Sequence, residues 1–269
     1  MTKRFLVFKI HRQGLRGIDL ETKKIYSTKN EYAEGLIEFD TVEFEVEKEW
    51  THGGTNYLAG EVIRHAYDPA ILTLLPEHTF EYIGSKDYSY LNDEDDPEGI
   101  TYGKMKEYLF TDYGSDSFYT DERDPIMEAQ ERPSLRERYN ILTHLWEEHP
   151  TCIDALVHLG IWHFNEDLLL EAERFYSIAL FIAEKNIPPD FKGVFPYGYV
   201  ENRPYYRALH GMCLTLWRLK RIDEALEIAK KGYRFDPEDN TGFRFIIDSL
   251  IDDEEWSEED EYEVYDSFW

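Results

Sequence analysis

Cysteine is scarce in this chain, which has 269 residues but only Cys152 and Cys213. Both fall within apolar helical patterns, so the sequence predicts two buried, reduced thiols rather than the disulfide framework of a secreted protein. Long hydrophobic runs are also lacking: no stretch reaches the ~18 apolar residues that span a bilayer, and the apolar part of residues 1–13 is too short for a signal peptide. These absences predict a cytoplasmic protein with no membrane segment.

Basic residues are few relative to acidic ones: 29 Lys and Arg stand against 56 Asp and Glu, which gives a formal net charge of −27. Affinity for duplex nucleic acid comes largely from Lys and Arg that neutralise phosphates, and anionic membranes attract basic segments in the same way. The composition therefore argues against a classical nucleic-acid binder, and direct contact with nucleic acid is not the first expectation.

The motifs of the common enzyme classes are absent as well. The sequence has no glycine-rich phosphate loop, no nucleophile elbow, no HExxH and no paired CxxC. His144, His149, His158 and His163 lie near Cys152, but their spacing matches no zinc site. We expect a non-catalytic protein with no cofactor and no metal.

Aromatic residues, in contrast, make up 16% of the chain and apolar residues 42%, which is enough to bury a core. The acidity is uneven, since residues 83–133 and 252–269 carry net charges of −9 and −10. Like-charge blocks of this kind usually stay solvated. This distribution predicts a β domain over residues 1–83, an acidic and partly ordered linker over 84–133, a helical domain over 134–251 and an acidic-aromatic tail over 252–269.

The β domain is predicted from one clear alternation. Thr41–Trp50 places Val and Phe on one face of a strand and Glu on the other, and the glycine pair in Thr51–Asn56 is typical of a hairpin turn. Tyr57–His65 is then the return strand. Short strands near Lys24–Ser27 and Phe80–Ile83 are expected to complete an antiparallel sheet or a small barrel.

An oligonucleotide-binding type of barrel is compatible with residues 1–30, which hold eight basic and two acidic residues. Residues 31–82 hold two basic and twelve acidic residues, which would repel phosphate from much of the same small surface. Nucleic-acid binding by the β domain is therefore an alternative rather than the main expectation.

Residues 134–251 change to helical periodicity, with apolar residues at three- and four-residue spacing and short turns. Two helix pairs follow one layout, the first on Ile153, Leu156, Leu159, Gly160, Ala172, Tyr176 and Ala179 and the second on Tyr206, Leu209, Ala225, Gly232 and Pro237. This pattern resembles the tetratricopeptide repeat family, whose fold is a superhelical array of helix pairs. The pairs start 53 residues apart, instead of the family's 34, because Asn186–Arg203 is inserted between them.

The resemblance implies a concave face that grips a peptide or a partner domain. Carried over residue by residue, that face includes Phe164, Arg207, His210, Trp217, Arg218 and Arg244. Cations around a tryptophan suit an acidic peptide that contains aromatic residues. The tail has this composition, and we expect Phe268 and Trp269 to anchor it in the groove or on a basic surface of a partner.

The sequence thus predicts an α+β multidomain protein, with a small N-terminal antiparallel β domain followed by a tetratricopeptide-like helical array. The first predicted function is an intracellular adaptor that binds a partner protein or peptide through the groove and the tail. One alternative is a nucleic-acid-associated protein whose β domain contacts RNA or DNA while the repeats recruit a partner. Another is an acidic decoy or antitoxin-like inhibitor of a nucleic-acid-binding protein.

Overall fold

A computed structural model describes residues 1–30, 33–75, 77–92, 99–111 and 125–257, and the chain divides into two compact units, Met1–Leu75 and Pro76–Trp269. The first unit is a closed barrel of β1 (Thr2–His11), β2 (Gly14–Asp19), β3 (Ile25–Lys29), β4 (Thr41–His52) and β5 (Thr55–Ala66). The strand order around the barrel is β1-β2-β3-β5-β4, and every pair is antiparallel except β3 with β5. The predicted N-terminal β domain is confirmed, in its barrel form.

The β4–β5 hairpin forms where the alternation and the glycines predict it. Gly53 and Gly54 have φ angles of +56° and +80°, the left-handed conformation that a tight two-residue turn needs and that glycine adopts without a steric penalty. On β4, Val42 and Phe44 point inward and are fully buried. The barrel core consists of Phe5, Val7, Leu15, Tyr26, Leu36, Val42, Phe44 and Leu58.

The expectation that Phe80–Ile83 joins the barrel is wrong. These residues lie in β6 (Thr79–Asp87), which pairs with β7 (Lys104–Thr111) in a separate two-stranded sheet of the second unit. The Phe80 ring packs edge-on against the rings of Tyr108, Phe110, Phe191 and Phe195. Those aromatic partners come from distant parts of the chain, so local alternation could not show which sheet the strand would join.

The described residues of the second unit hold seven α-helices: α1 (Pro125–Glu131), α2 (Leu135–Glu148), α3 (Ile153–Asn165), α4 (Leu169–Glu184), α5 (Arg203–Arg218), α6 (Ile222–Phe235) and α7 (Phe243–Ile251). The start of α2 is fixed by Ser134, whose hydroxyl accepts a hydrogen bond from the Glu137 amide. Helices α3 and α4 pack together, as do α5 and α6, and α3 also contacts α5. The predicted helical array is therefore confirmed.

The inserted segment Asn186–Arg203 joins the small sheet to the helices within this unit. The Val194 amide donates to the Lys106 carbonyl at 2.9 Å, and the Tyr108 amide donates to the Val194 carbonyl at 2.9 Å. Next to these hydrogen bonds, the ring of Phe195 stacks on the ring of Phe110 of β7, with the two centroids 4.4 Å apart. The insertion thus extends the sheet along β7.

Both cysteines are unpaired and buried, which confirms the prediction of reduced thiols. Burial raises the pKa of the Cys213 thiol to about 12, so this side chain is protonated and unreactive at neutral pH. None of the helices that the structure describes is both long and apolar enough to cross a membrane. Within the same described ranges, no group of three or more His, Cys, Asp or Glu residues is arranged to hold a metal ion.

Candidate functional site

One row of side chains crosses the outer surface of the barrel. The strand register aligns Lys9 with Arg16, Arg16 with Ser27, Ser27 with Tyr57, and Tyr57 with Trp50. Residues in register on neighbouring strands point to the same face of a sheet, and the next residue along each strand points to the other face. The adjacent Leu15, Tyr26 and Leu58 fill the core, so the row faces outward.

The end of this row is an aromatic platform beside two lysines. The rings of Trp50 and Tyr57 stack with centroids 5.4 Å apart and planes 11° apart. The ammonium groups of Lys29 and Lys48 lie 6.0 and 5.6 Å from the Trp50 ring, within the range of a cation–π interaction. Both lysines are exposed and both rings are partly exposed, so the platform is accessible within this unit.

The same hairpin also carries acidic residues. Glu45 is opposite Glu61, and Glu43 is paired with Arg64 at 2.6 Å. Another β4 carboxylate, Glu49, accepts a hydrogen bond from the Tyr26 hydroxyl at 2.9 Å. The hairpin therefore carries its aromatic pair near the turn, and Glu45, Glu61 and the Glu43–Arg64 ion pair toward its open end.

We call the set Lys9, Arg16, Lys29, Lys48, Trp50 and Tyr57 the barrel face. Sequence reasoning did not identify it, although one signal was available. A two-residue turn at Gly53 and Gly54 places the residues three positions before and three positions after it, Trp50 and Tyr57, opposite each other. The pairing of β3 with β5, which adds Lys29, is a long-range contact without a local signal.

A second candidate site lies in the helical unit, around Arg218 at the end of α5. Its guanidinium group is 4.7 Å from the Phe164 ring and 4.4 Å from the Trp256 ring, so it is held between two aromatic side chains. It also donates to the Phe164 carbonyl at 3.3 Å and to the Asp167 carboxylate at 2.6 Å. These bonds orient the planar cation between the two rings.

Trp217 extends this arrangement to the chain that follows α7. Its indole N–H donates to the Glu254 carbonyl at 3.1 Å, and the Glu254 amide donates to the Ser249 carbonyl at 3.0 Å. We call Phe164, Asp167, Trp217 and Arg218 the Arg218 site. Three residues that the sequence placed on a concave face thus lie together, with Trp256 bound among them.

Arg207 and His210 have other surroundings. Arg207 donates to Asp154 at 2.6 Å, with both side chains mostly buried. Burial alone would raise the pKa of Asp154, but Arg207 and His158 hold it below its usual value. His210 is 2% exposed and packs near Phe243, and burial lowers its pKa to about 3. His210 is therefore neutral at physiological pH and presents no cation to a ligand.

Arg244 is exposed on α7, where its guanidinium lies 5.8 Å from the ring of Phe245. Phe268 and Trp269, the predicted tail anchors, lie outside the described residues. Of the predicted set, Phe164, Trp217 and Arg218 therefore form one constellation, and its ring partner is Trp256.

Comparison with protein families gives one match for the helical region. Residues 136–257 match the family model Tcf25, described as transcriptional repressor TCF25. No curated protein and no solved structure significantly matches the chain. The match includes α3 to α7 and the residues of the Arg218 site.

The assignment of this region to the tetratricopeptide repeat family is wrong, because the matching family is Tcf25. The alternation of small and large residues that resembles the tetratricopeptide pattern has a physical origin. Added Cβ atoms at Gly160 and Gly211 would lie 2.7 and 2.3 Å from the ring of Tyr176, so both glycines are required where helices approach a large side chain. Any tightly packed array of helix pairs can produce this alternation of small and large residues.

The expected cytoplasmic localisation is also contradicted. A family described as a transcriptional repressor points to the nucleus, where transcription takes place.

Proposed function

We propose that this protein is a non-catalytic, nuclear regulator of transcription whose barrel contacts single-stranded nucleic acid and whose helical unit recruits a protein partner. The Tcf25 match over residues 136–257 supports the link to transcription. This replaces the cytoplasmic adaptor as the main interpretation and keeps recruitment of a partner as the role of the helices.

The barrel face is the observation that carries the proposal. Bases of a single strand stack on exposed aromatic rings while lysine and arginine side chains follow the backbone phosphates. The Trp50–Tyr57 platform provides the rings, and Lys9, Arg16, Lys29 and Lys48 provide the cations. Five-stranded barrels of the oligonucleotide-binding type bind on the face of strands 2 and 3 and on the loops between strands 1 and 2 and strands 4 and 5. Arg16, Lys29 and the end of the β4–β5 hairpin occupy equivalent positions here.

The net charge of −27 does not oppose this proposal as strongly as composition alone indicates. Of the acids on the hairpin, Glu49 accepts from the Tyr26 hydroxyl and lies 3.8 Å from the Lys3 ammonium, Glu43 is paired with Arg64, and Glu45 and Glu61 lie toward the open end. At physiological ionic strength the Debye length is about 8 Å, so distant carboxylates are largely screened. Local charge near the platform then determines short-range contact with phosphate.

The test is the affinity of the full-length protein for a labelled single-stranded oligonucleotide of mixed sequence, measured by fluorescence anisotropy at several salt concentrations. Trp50→Ala should weaken binding about fivefold or more, because stacking on one aromatic side chain contributes roughly 1–3 kcal/mol per base. Lys48→Ala should weaken binding and reduce the slope of log K against log salt by about 0.7, the value for one phosphate contact on a single strand.

Lys24→Ala is the matched control, since it removes the same charge from an exposed residue next to the other end of β3. It should leave affinity within about twofold, because a phosphate bound at Lys29 lies about 15 Å away along the strand, beyond the screening length. The proposal fails if the wild-type protein shows no salt-sensitive binding, or if Lys24→Ala and Lys48→Ala have equal effects.

A further inference from the structure

We propose that the Arg218 site is a receptor for an aromatic side chain carried by an acidic peptide, and that the chain's own segment Asp252–Ser257 occupies it in competition with a partner. This inference concerns the helical unit and does not depend on nucleic-acid binding by the barrel. The occupant seen in the structure indicates the chemistry of the ligand.

The receptor groups of the site belong to the helices and to the turn after α3. Arg218 is held by Phe164 and Asp167, and Trp217, next to the last residue of α5, is 5% exposed with the segment in place. All three contacting groups therefore come from α3, α5 and the turn after α3. They present one aromatic face, one oriented planar cation and one indole N–H, and the segment contributes only the second ring and an accepting carbonyl.

The interactions select an aromatic residue with little regard to its type. The Trp256 ring contacts the site through its face, 4.4 Å from the Arg218 guanidinium and 6.5 Å from the Phe164 ring centroid. Its own indole nitrogen is buried with no hydrogen-bond partner among the described residues. A phenylalanine or tyrosine of a partner would therefore make the same cation–π contact without leaving an N–H unsatisfied.

The surroundings favour acids on either side of that aromatic residue. A cavity of about 570 Å³ next to Trp256 is lined by the helices and their turns and by residues 253–256 of the segment; the helical side includes Asp167, Leu169, Arg218, Lys220 and Ile222. Lys220 is exposed, so this wall adds one cation beside the Arg218–Asp167 ion pair. The cavity has room for further residues of a peptide longer than the internal segment.

The internal segment is largely exposed to solvent. Asp252, Asp253, Glu254 and Glu255 are exposed, and Trp256 is only partly buried. Besides the ring contacts of Trp256, a hydrogen bond from the Trp217 indole N–H to the Glu254 carbonyl links the segment to α5. Every peptide has backbone carbonyls that can accept this hydrogen bond from Trp217. A partner peptide with an aromatic residue and neighbouring acids can therefore displace the segment.

The experiment uses the full-length protein and a labelled peptide with the sequence of residues 252–257, and measures binding by fluorescence anisotropy. Trp256→Ala should bind this peptide at least tenfold more tightly than the wild-type protein, because the tethered competitor, present at millimolar effective concentration, no longer fills the site. Adding Arg218→Ala in the same protein should reverse the gain. Lys192→Ala, which removes an exposed cation from the inserted segment of the same unit, is the matched control and should preserve the gain.

A second measurement covers the case in which Arg218→Ala fails to fold. In Trp256→Ala, titration with the peptide should shift the indole N–H resonance of Trp217 in a nitrogen-15 correlation spectrum, whereas a peptide with alanine in place of tryptophan should not. Equal affinity of wild-type and Trp256→Ala protein, equal binding of both peptides, or a Trp217 resonance that does not respond would each overturn the proposal.

Discussion

At the residue scale, Tyr176 shows how a single ring determines which residues its neighbours can be. It is fully buried, and Gly160 and Gly211 on two other helices lie against its ring. We predict that Gly211→Ala lowers the free energy of unfolding by about 1–3 kcal/mol, the usual cost of overpacking a core. The new methyl group would lie 2.3 Å from the Tyr176 ring, and this clash outweighs the helix propensity of alanine, which is better by about 1 kcal/mol.

Urea denaturation followed by far-ultraviolet circular dichroism would measure this change. Gly198→Ala is the control, because a Cβ atom there meets nothing within 4 Å and the backbone needs no left-handed conformation. It should leave stability unchanged to within about 0.5 kcal/mol. A Gly211→Ala protein as stable as the wild type would mean that the helices can move apart at no cost, and close packing around Tyr176 would not explain the glycines.

At the element scale, the start of α7 depends on a carboxylate in an unfavourable environment. Asp239 accepts hydrogen bonds from the amides of Phe243 at 2.7 Å and Arg244 at 3.1 Å. Burial raises its pKa to about 6 in spite of these bonds, and the nearby Asp236 adds repulsion. The folded protein therefore binds a proton here more tightly than the unfolded chain does, so the contribution of Asp239 to stability is highest at low pH and falls as pH rises from about 4 to about 6.

We predict that wild-type protein loses roughly 2 kcal/mol of unfolding free energy relative to Asp239→Asn between pH 4 and pH 6.5. Asparagine is a suitable replacement, since it tolerates the φ of +48° at this position and its amide oxygen can still cap the helix. Chemical denaturation of both proteins over this pH range gives the difference, in which the other acids cancel. Parallel stability curves would show that Asp239 titrates normally.

Elements that depend on local chemistry could be predicted, and elements that depend on distant partners could not. The β4–β5 hairpin follows from the alternation of Thr41–Trp50 and the glycine turn, and the helix pairs follow from apolar periodicity. The assignment of β6 depended on Phe191 and Phe195, more than 100 residues away. The barrel face could not be predicted from the sequence for the same reason, because it is the long-range parallel pairing of β3 with β5 that brings Lys29 to Trp50.

The Arg218 site was predicted in part, and its surroundings were not. The tetratricopeptide resemblance implied that Phe164, Trp217 and Arg218 share a concave face, and the structure brings these three residues together. The same reasoning could not see that His210 is buried and neutral, or that Arg207 is committed to Asp154. Periodicity gives the direction of a side chain relative to its own helix, whereas burial depends on what packs against that helix.

At the scale of the whole molecule, the acidity that dominates the composition acts over a distance set by salt. Residues 258–269 carry six of the 56 acidic side chains and none of the 29 basic ones. The Debye length falls from about 30 Å at 0.01 M to about 3 Å at 1 M ionic strength. If these carboxylates repel phosphate only through their contribution to net charge, their effect on binding must therefore vanish at high salt.

We therefore predict that truncation after Ser257, which retains Trp256, raises affinity for a single-stranded oligonucleotide about two- to fivefold at 0.01 M ionic strength and leaves it unchanged above about 0.3 M. Anisotropy titrations of both proteins across this range provide the measurement. Replacing the acids of residues 258–269 by their amides at constant length is the control, and it should reproduce the truncation because only charge matters. A gain that persists at high salt, or that the amide variant lacks, would instead mean that the aromatic residues of this segment contact the oligonucleotide-binding surface directly.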